Sequence, residues 1–306
     1  MRLEPDLEFQ LRIEMFRNEV SRAMLSNMSD PVGLQPTHER IPLYAMFAQH
    51  LESIERYPTE LSDLNSLYIL IARLHLQGFC LFDEPSSEFY AERVIMLYLT
   101  ATSLIQHVLD TNRRDKVSVR YWPFFRVQAL IAATFIVLKV LQNDYFRSLV
   151  DTDAGRNILH IAIDALRTAS VGERDLPSRF ANVLSYLWIE APAHVIGGQG
   201  KEGLSLKVRT RNSMSVVVDS VSRWREYIRM QTDKHEGQVE VQFRAVSIQS
   251  DDLQLCVDEQ GVFEDTGSIT GDEHHHHSTS PSAAPMAFFG STDFDLQNFD
   301  GMNLVV

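Results

Sequence analysis

Residues Ala129–Leu138 form an uninterrupted apolar run in which Thr134 is the one polar residue. Arg126 and Lys139 flank it inside the longer stretch Phe124–Leu141. A membrane span needs roughly 20 apolar residues, and this centre has ten, so the run reads as a core helix and no membrane partner is expected. A helix that is apolar nearly all round has no face to give to water, so it must stand at the centre of a domain. Trp122-Pro123 opens it. Proline in a first helical turn loses no needed N–H and presets φ. The helix is expected to end near Gln142.

A central helix needs helices around it, and the flanking sequence supplies them. Residues 3–28 are charged and amphipathic. In 42–57, Leu43, Phe47, Leu51 and Ile54 recur at three- and four-residue steps, and in 60–79 Leu64, Leu67, Tyr68, Ile71 and Leu74 do the same. Pro85, Ser86 and Ser87 punctuate, with Ser87 as the expected cap of a long stripe through Val94, Leu97, Ala101, Leu104, Ile105 and Val108 to about Asp110. Thr152 or Asp153 can cap the next helix, which faces inward through Ile158, Leu159, Ala162, Ile163 and Leu166. Pro177 opens another that ends near Ile189. No run of period-2 alternation appears in this half, so residues 1–190 read as one all-α, multi-helix domain. Residues 191–212 form a loop with Pro192 and glycines 197, 198, 200 and 203, followed by Lys207, Arg209 and Arg211. A terminal helix over 213–230 carries Met214, Val217, Val218, Val221, Trp224 and Ile228 on one face and is expected to pack on the domain. Residues 238–257 could form a short strand or two. The rest of 231–306 reads as a mostly disordered acidic tail.

Charge is unevenly distributed. The chain carries a net −13, of which residues 1–244 contribute −2 and residues 245–306, with 11 acids and no base, contribute −11. Neither part attracts a phosphate backbone on average. The two cysteines, Cys80 and Cys256, form no C-x-x-C pair, so neither a disulfide framework nor a cysteine-built zinc site is expected. Cys80, in an apolar run, reads as a reduced core thiol. The N-terminus lacks the apolar region of a secretory signal.

Within the tail, residues 287–306 combine Phe288, Phe289, Phe294 and Phe299 with Leu296, Met302 and Leu304 among three acids, Asp293, Asp295 and Asp300. So short and charged a segment cannot bury its own rings. It suits an arm for another protein's hydrophobic groove, as in a transcriptional activation segment; the plainer alternative is a frayed terminus.

Three motifs invite an enzyme reading. Gly198-Gln199-Gly200-Lys201-Glu202-Gly203 matches G-x-G-x-x-G, and Asp219 follows at about the spacing of a ribose-binding acid. The context argues against it. Ala193–Ile196 is a poor strand, and Val216–Val218 continues a helical stripe, so a flexible inter-helix loop is expected instead. A Walker-type loop fails because Glu202 follows Gly200-Lys201 and Val195 stands where glycine is required. His274–His277 reads as low complexity and His160 as a satisfied or partly exposed helix histidine. Lys201, Lys207 and the arginines at 209, 211, 223, 225 and 229, set against Glu202, Asp219 and Glu226, are read as a solvated face. A nucleic-acid patch and an internal dock for the acidic tail are the alternatives. No catalytic residue and no metal site is assigned.

The segment Tyr121–Ile189, with its WPFF opening, and the block from Gly197 to Arg229, with SMSVVVDS and RWRE, resemble the C-terminal regulatory region of fungal zinc-cluster transcription factors. The subgroup is the one with leucine-pathway and weak-acid-response regulators, and the likeness covers about residues 40–230. The resemblance implies an all-helical regulatory domain in a nuclear protein that gates activity, sometimes through a small-molecule effector. It further implies transcriptional coactivators as partners of the arm, through Phe288, Phe289, Asp293, Phe294, Asp295, Leu296, Phe299 and Asp300. The family's DNA-binding module needs six cysteines around two zinc ions, and neither cysteine here maps onto it. No cofactor is therefore expected in this chain, and DNA is expected to be reached only indirectly, with dimerisation with a full-length relative one route. The chain reads as part of a longer protein or as a truncated family member. A cytosolic helical scaffold is the alternative function, and a nucleotide-binding enzyme using the 198–203 loop a remote one.

Overall fold

The computed structural model describes residues 4–56, 61–115, 119–172, 175–209 and 214–235. Among them every regular element is helical, so the all-α reading stands. The expected strands over 238–257 and the acidic tail lie outside the described residues.

Helix α1, Pro5–Met24, begins with proline in its first turn and acids Asp6 and Glu8, which favour a helix N-terminus. It buries Phe9, Ile13, Phe16, Val20 and Met24, one face at three- and four-residue steps. Helix α2, Thr37–Glu55, starts five residues before the expected 42 and carries Pro42 inside it. The early start has a tertiary cause. Arg40 is buried there and binds Asp83, a contact that no local periodicity signals. Helix α3, Asp63–Gly78, is capped by Ser62, whose hydroxyl accepts from the Asn65 amide at 3.2 Å. It runs into a buried 3-10 turn, Phe79–Phe82.

Helix α4, Tyr90–Asp115, buries the expected stripe in full, with Val94, Leu97, Ala101, Leu104 and Ile105 at zero exposure, and extends five residues past Asp110. Ser87 is not its cap. The helix begins at Tyr90, after Phe89 at φ 58°, and the Ser87 hydroxyl instead accepts from Arg93.

Helix α5, Phe124–Leu141, buries every residue from Ala129 to Leu141, including Lys139. Pro123 occupies its cap position, one residue earlier than a first-turn placement. Helix α6, Thr152–Ala169, is capped by Asp151 rather than Thr152 or Asp153. The Asp151 carboxylate accepts from the amides of Asp153 and Ala154 at 3.1 and 3.0 Å. Asp175 likewise caps α7, Leu176–Ile189, with Pro177 in the first turn as expected. The 191–212 region contains a one-turn helix α8, Ala193–Ile196, and a 3-10 turn, Lys201–Leu204. Helix α9, Ser215–His235, follows.

Helices α1 and α2 pack on α3, α3 packs on α4, and α4, α6 and α7 pack around α5. Phe135 of α5 meets Phe180 of α7 edge to face at 5.9 Å. Among the described residues, three helical stretches are long and apolar enough to cross a membrane by length and composition: Asp63–Phe82, Tyr90–Thr111 and Phe124–Leu141. The last is the most enclosed, with 78% of it buried inside the fold.

One glycine sets how closely α6 approaches the centre. A Cβ on Gly155 would lie 2.3 Å from the Tyr98 hydroxyl and 2.9 Å from a methyl of Leu141. Gly155→Ala therefore overpacks the α4–α5–α6 junction and should cost about 1–3 kcal/mol. Gly78→Ala, with nothing within 4 Å, should leave stability unchanged or raise it by about 0.4–1 kcal/mol. Urea unfolding of the two variants beside the parent chain measures the contrast.

Candidate functional site

The glycine motif is a seat for the end of α5. A Cβ on Gly197 would fall 2.2 Å from the Gln142 carbonyl carbon, and one on Gly198 would fall 2.3 Å from Gly203 Cα. Only glycine allows backbone to pass backbone at those distances. Asn143, fully buried one residue beyond the α5 cap, donates from Nδ2 to the carbonyls of Gly197 and Gly200 at 2.7 and 2.9 Å. The Gly200 amide donates to Asp144 Oδ1 at 2.7 Å, and the Lys201 ammonium stands 5.2 Å from the centre of the Tyr145 ring. The expected flexible connector is thus anchored along its length.

The other parts of the dinucleotide arrangement are engaged elsewhere. Ala193–Ile196 is helical, and so is Val216–Val218. Asp219, the would-be ribose acid, is 1% exposed. Its Oδ2 accepts from Lys139 Nζ at 3.0 Å and from Arg223 Nε at 2.7 Å, and its Oδ1 accepts from the Lys207 and Val208 amides at 2.6 and 3.2 Å. Lys139 also donates to the Ile196 carbonyl at 3.1 Å, and Arg223 donates to the Ser205 carbonyl. One carboxylate thus gathers α5, the segment after the glycine loop, and α9.

Burial lowers the Lys139 pKa to about 8, with Arg223 adding to the effect and Asp219 opposing it. Burial alone would raise the Asp219 carboxyl, but Lys139, Arg223 and the Lys207 amide together hold it below the ordinary carboxylate range. Arg223 therefore departs from the solvated face expected for the basic stretch. Lys207 stays on that face, in an exposed pair with Glu226 at 3.4 Å. Arg211 lies outside the described residues.

A second buried ionic cluster joins α2 to α4. Arg40 donates to Asp83 Oδ1 from Nε at 3.0 Å and from Nη2 at 2.6 Å, and to the Phe82 carbonyl at 2.8 Å. Arg93 holds the other Asp83 oxygen at 3.1 Å. Burial pushes the Asp83 carboxyl up against the pull of both guanidinium groups. Burial, helped by Asp83, raises the neighbouring Cys80 thiol and keeps it protonated, in keeping with a reduced core cysteine.

Among the described residues, surface concavities include the following two. One, of about 350 Å³, lies between α1 and α2 and is lined by Arg12, Met15, Phe16, Glu19, His50, Ser53 and Ile54. The other, of about 230 Å³, lies where α5 ends against α6 and α7, and is lined by Leu141, Arg147, Thr152, Arg156 and Trp188. His160 is exposed on α6, its ring edge-on to Trp188 at 6.1 Å. No group of three or more His, Cys, Asp or Glu side chains suited to a metal occurs among the described residues. The arm residues Phe288, Phe289, Asp293, Phe294, Asp295, Leu296, Phe299 and Asp300 lie outside the described residues, as do His274–His277 and Cys256.

Periodicity did not reveal the Lys139–Asp219 pair, although one signal was present. A lysine closing a run that is apolar all round has no solvent-facing side and requires a carboxylate from elsewhere. The second recess is assembled from four elements, and no spacing announces it.

Removing one partner of a buried pair strands the other, so Asp219→Ala should cost about 3–5 kcal/mol. The Asp219 carboxyl titrates below its unfolded value of about 3.9, so its stabilising contribution is complete above that pH and is lost as the pH falls further. The stability gap between the parent chain and Asp219→Asn should therefore narrow below about pH 4 in denaturant titrations run at stepped pH. Compared with protein-family models, with curated proteins and with solved structures, the chain has no match.

Proposed function

We propose that this chain is the regulatory and activating part of a transcription regulator of the fungal zinc-cluster class, acting in the nucleus. The observation that carries the reading is the arm at 287–306, four phenylalanines spaced among three acids at the end of a 62-residue stretch without a single base. Like charges in such a segment oppose burial of its rings against one another. A coactivator groove with a basic rim then accepts Phe294, Leu296 and Phe299 while the acids meet the rim. The resemblance of Tyr121–Ile189 and Gly197–Arg229 to regulatory regions supports the role of the body. The two segments are also physically one, because Lys139 of the first is bound to Asp219 of the second.

In this reading the body holds the arm back or releases it, and an effector biases the two arrangements by binding one more tightly. DNA is reached through a partner, such as a full-length relative. The arm is tested by fusing residues 287–306 to an unrelated DNA-binding domain and measuring reporter output. Output should be well above that of the DNA-binding domain alone, and should fall severalfold when Phe294 and Phe299 are both changed to alanine. No output, or output indifferent to that change, removes the reading.

A further inference from the structure

We propose that Ser170, in the turn between α6 and α7, is a phosphorylation site for a basophilic serine kinase, and that the phosphate loosens the cap of α7. A kinase of that kind holds an arginine three residues before the serine in an acidic subsite and an apolar residue just after it in a second pocket. Arg167-Thr168-Ala169-Ser170-Val171 supplies both. The fold presents them. Ser170 follows the last residue of α6, half-buried, with extended backbone at φ −66° and ψ 134°. Val171 is 75% exposed, an apolar side chain with no core to fill. Arg167 is exposed in the last turn of α6. That turn has to open for a kinase to hold the five residues extended, and little resists it. The Ser170 amide reaches the Arg167 carbonyl at 3.3 Å, and of Arg167, Thr168 and Ala169 only the alanine is buried.

In the transfer, the Ser170 hydroxyl oxygen attacks the γ-phosphorus of a magnesium-bound nucleoside triphosphate. A P–O bond forms to the serine, the bond from the γ-phosphorus to the β–γ bridging oxygen breaks, and the nucleoside diphosphate leaves. The hydroxyl proton passes to a carboxylate base of the kinase. The consequence lies in Asp175, which organises the turn. Its Oδ2 accepts from the Val171 and Gly172 amides at 2.6 and 3.2 Å, and its Oδ1, capping α7, accepts from the Ser178 amide at 3.0 Å. The Ser170 hydroxyl donates to the Gly172 carbonyl at 2.8 Å. Phosphorylation removes that donor and sets about two negative charges and three acceptor oxygens beside the carboxylate. The phosphate repels Asp175 and competes for the same two amides. It also stands at the C-terminus of α6, where the helix dipole disfavours an anion. Arg167 is engaged with Asp164 at 2.9 Å and with Ser185 of α7 at 2.7 Å, so turning to the phosphate gives up a tie between the two helices. Each response weakens the α6–α7 junction, and none depends on what the arm does.

The five-residue pattern recurs at Arg244–Ile248, outside the described residues. The test therefore uses the full chain carrying Ser247→Ala, incubated with the catalytic subunit of cAMP-dependent protein kinase and magnesium ATP, with the phosphate mapped by peptide mass spectrometry. Ser170 should be modified in the folded chain, and Ser170→Ala should remove the signal. Arg167→Ala and Val171→Asp should each slow incorporation about tenfold or more, through loss of one subsite contact in the transfer step. Val171 is exposed, so its variant should melt with the parent chain, which separates lost recognition from lost folding. The phosphorylated chain should melt about 2–4 °C lower, the shift expected for a weakened cap in a domain of this size. Asp175→Asn keeps a capping side chain without the charge, so phosphorylation should lower its melting by at most about half as much. The proposal is overturned if the folded chain takes no phosphate at Ser170, or takes it only after heat unfolding. Incorporation indifferent to Arg167→Ala and Val171→Asp overturns it, as does a modified chain that melts with the unmodified one or a shift that Asp175→Asn leaves whole. None of these outcomes bears on reporter output from the arm.

Discussion

A helix without a polar face has to be covered on every side, and the fold is organised around meeting that demand for α5. Thirteen consecutive residues, Ala129–Leu141, are buried. Each large aliphatic side chain among them contributes about 1.5–3 kcal/mol by leaving water. Helices α4, α6 and α7 supply three walls. The ammonium of Lys139, enclosed with those side chains, adds a more specific demand. Its desolvation is offset only by an anion and a carbonyl held in place, and both come from beyond α7: Asp219 from α9 and the Ile196 carbonyl from α8. The position of the last third of the body follows from one charged residue at the end of an apolar helix.

The two buried ionic clusters divide the bundle between them. Arg40, Asp83 and Arg93 tie α2 to the start of α4. Lys139, Asp219 and Arg223 tie α5 to α9. In each, two cations share one carboxylate. Such an arrangement adds less net stability than a well-packed apolar substitute would, because desolvation consumes much of the attraction. Its other consequence is registry. An apolar stripe tolerates a slide by one turn, whereas a buried carboxylate with fixed donors does not. Asp219, with four donors around it, fixes α9 in both translation and rotation.

Elements whose signal is local were legible in the sequence. The α4 stripe and the ends of α5 and α7 follow from the spacing of apolar residues and from Pro123 and Pro177. The features that were missed are settled by distant partners. Helix α2 begins early because Arg40 reaches Asp83, 43 residues away. The Ser87 hydroxyl accepts from Arg93 and does not fill the capping role expected of it. Asp151 and Asp153 both stand near the start of α6, and which one caps depends on a two-residue difference in where the helix begins. The glycine run was identified, but its spacing is common to a phosphate loop and to a segment squeezed between backbones. Asp144 distinguishes the two, because it takes the Gly200 amide that a phosphate would need, and Asn143 ties the carbonyls of Gly197 and Gly200 to the end of α5.

The clamp, the glycine seat and the two-arginine recess share one turn of chain. Lys139 binds Asp219, Leu141 floors the recess, and the backbone of Gln142 with the side chain of Asn143 receives the glycine loop. Residues four apart at most cannot move independently when the helix they end is packed on all sides. A load on Leu141 is therefore shared with the contacts that hold α9. The inward side chains of α9, Val216, Val217, Ser220 and Val221, are all buried, whereas Ile228 and Met230, about two turns later, are exposed. The helix thus passes from buried to exposed within its own length, and the buried part carries Asp219, which binds the end of α5.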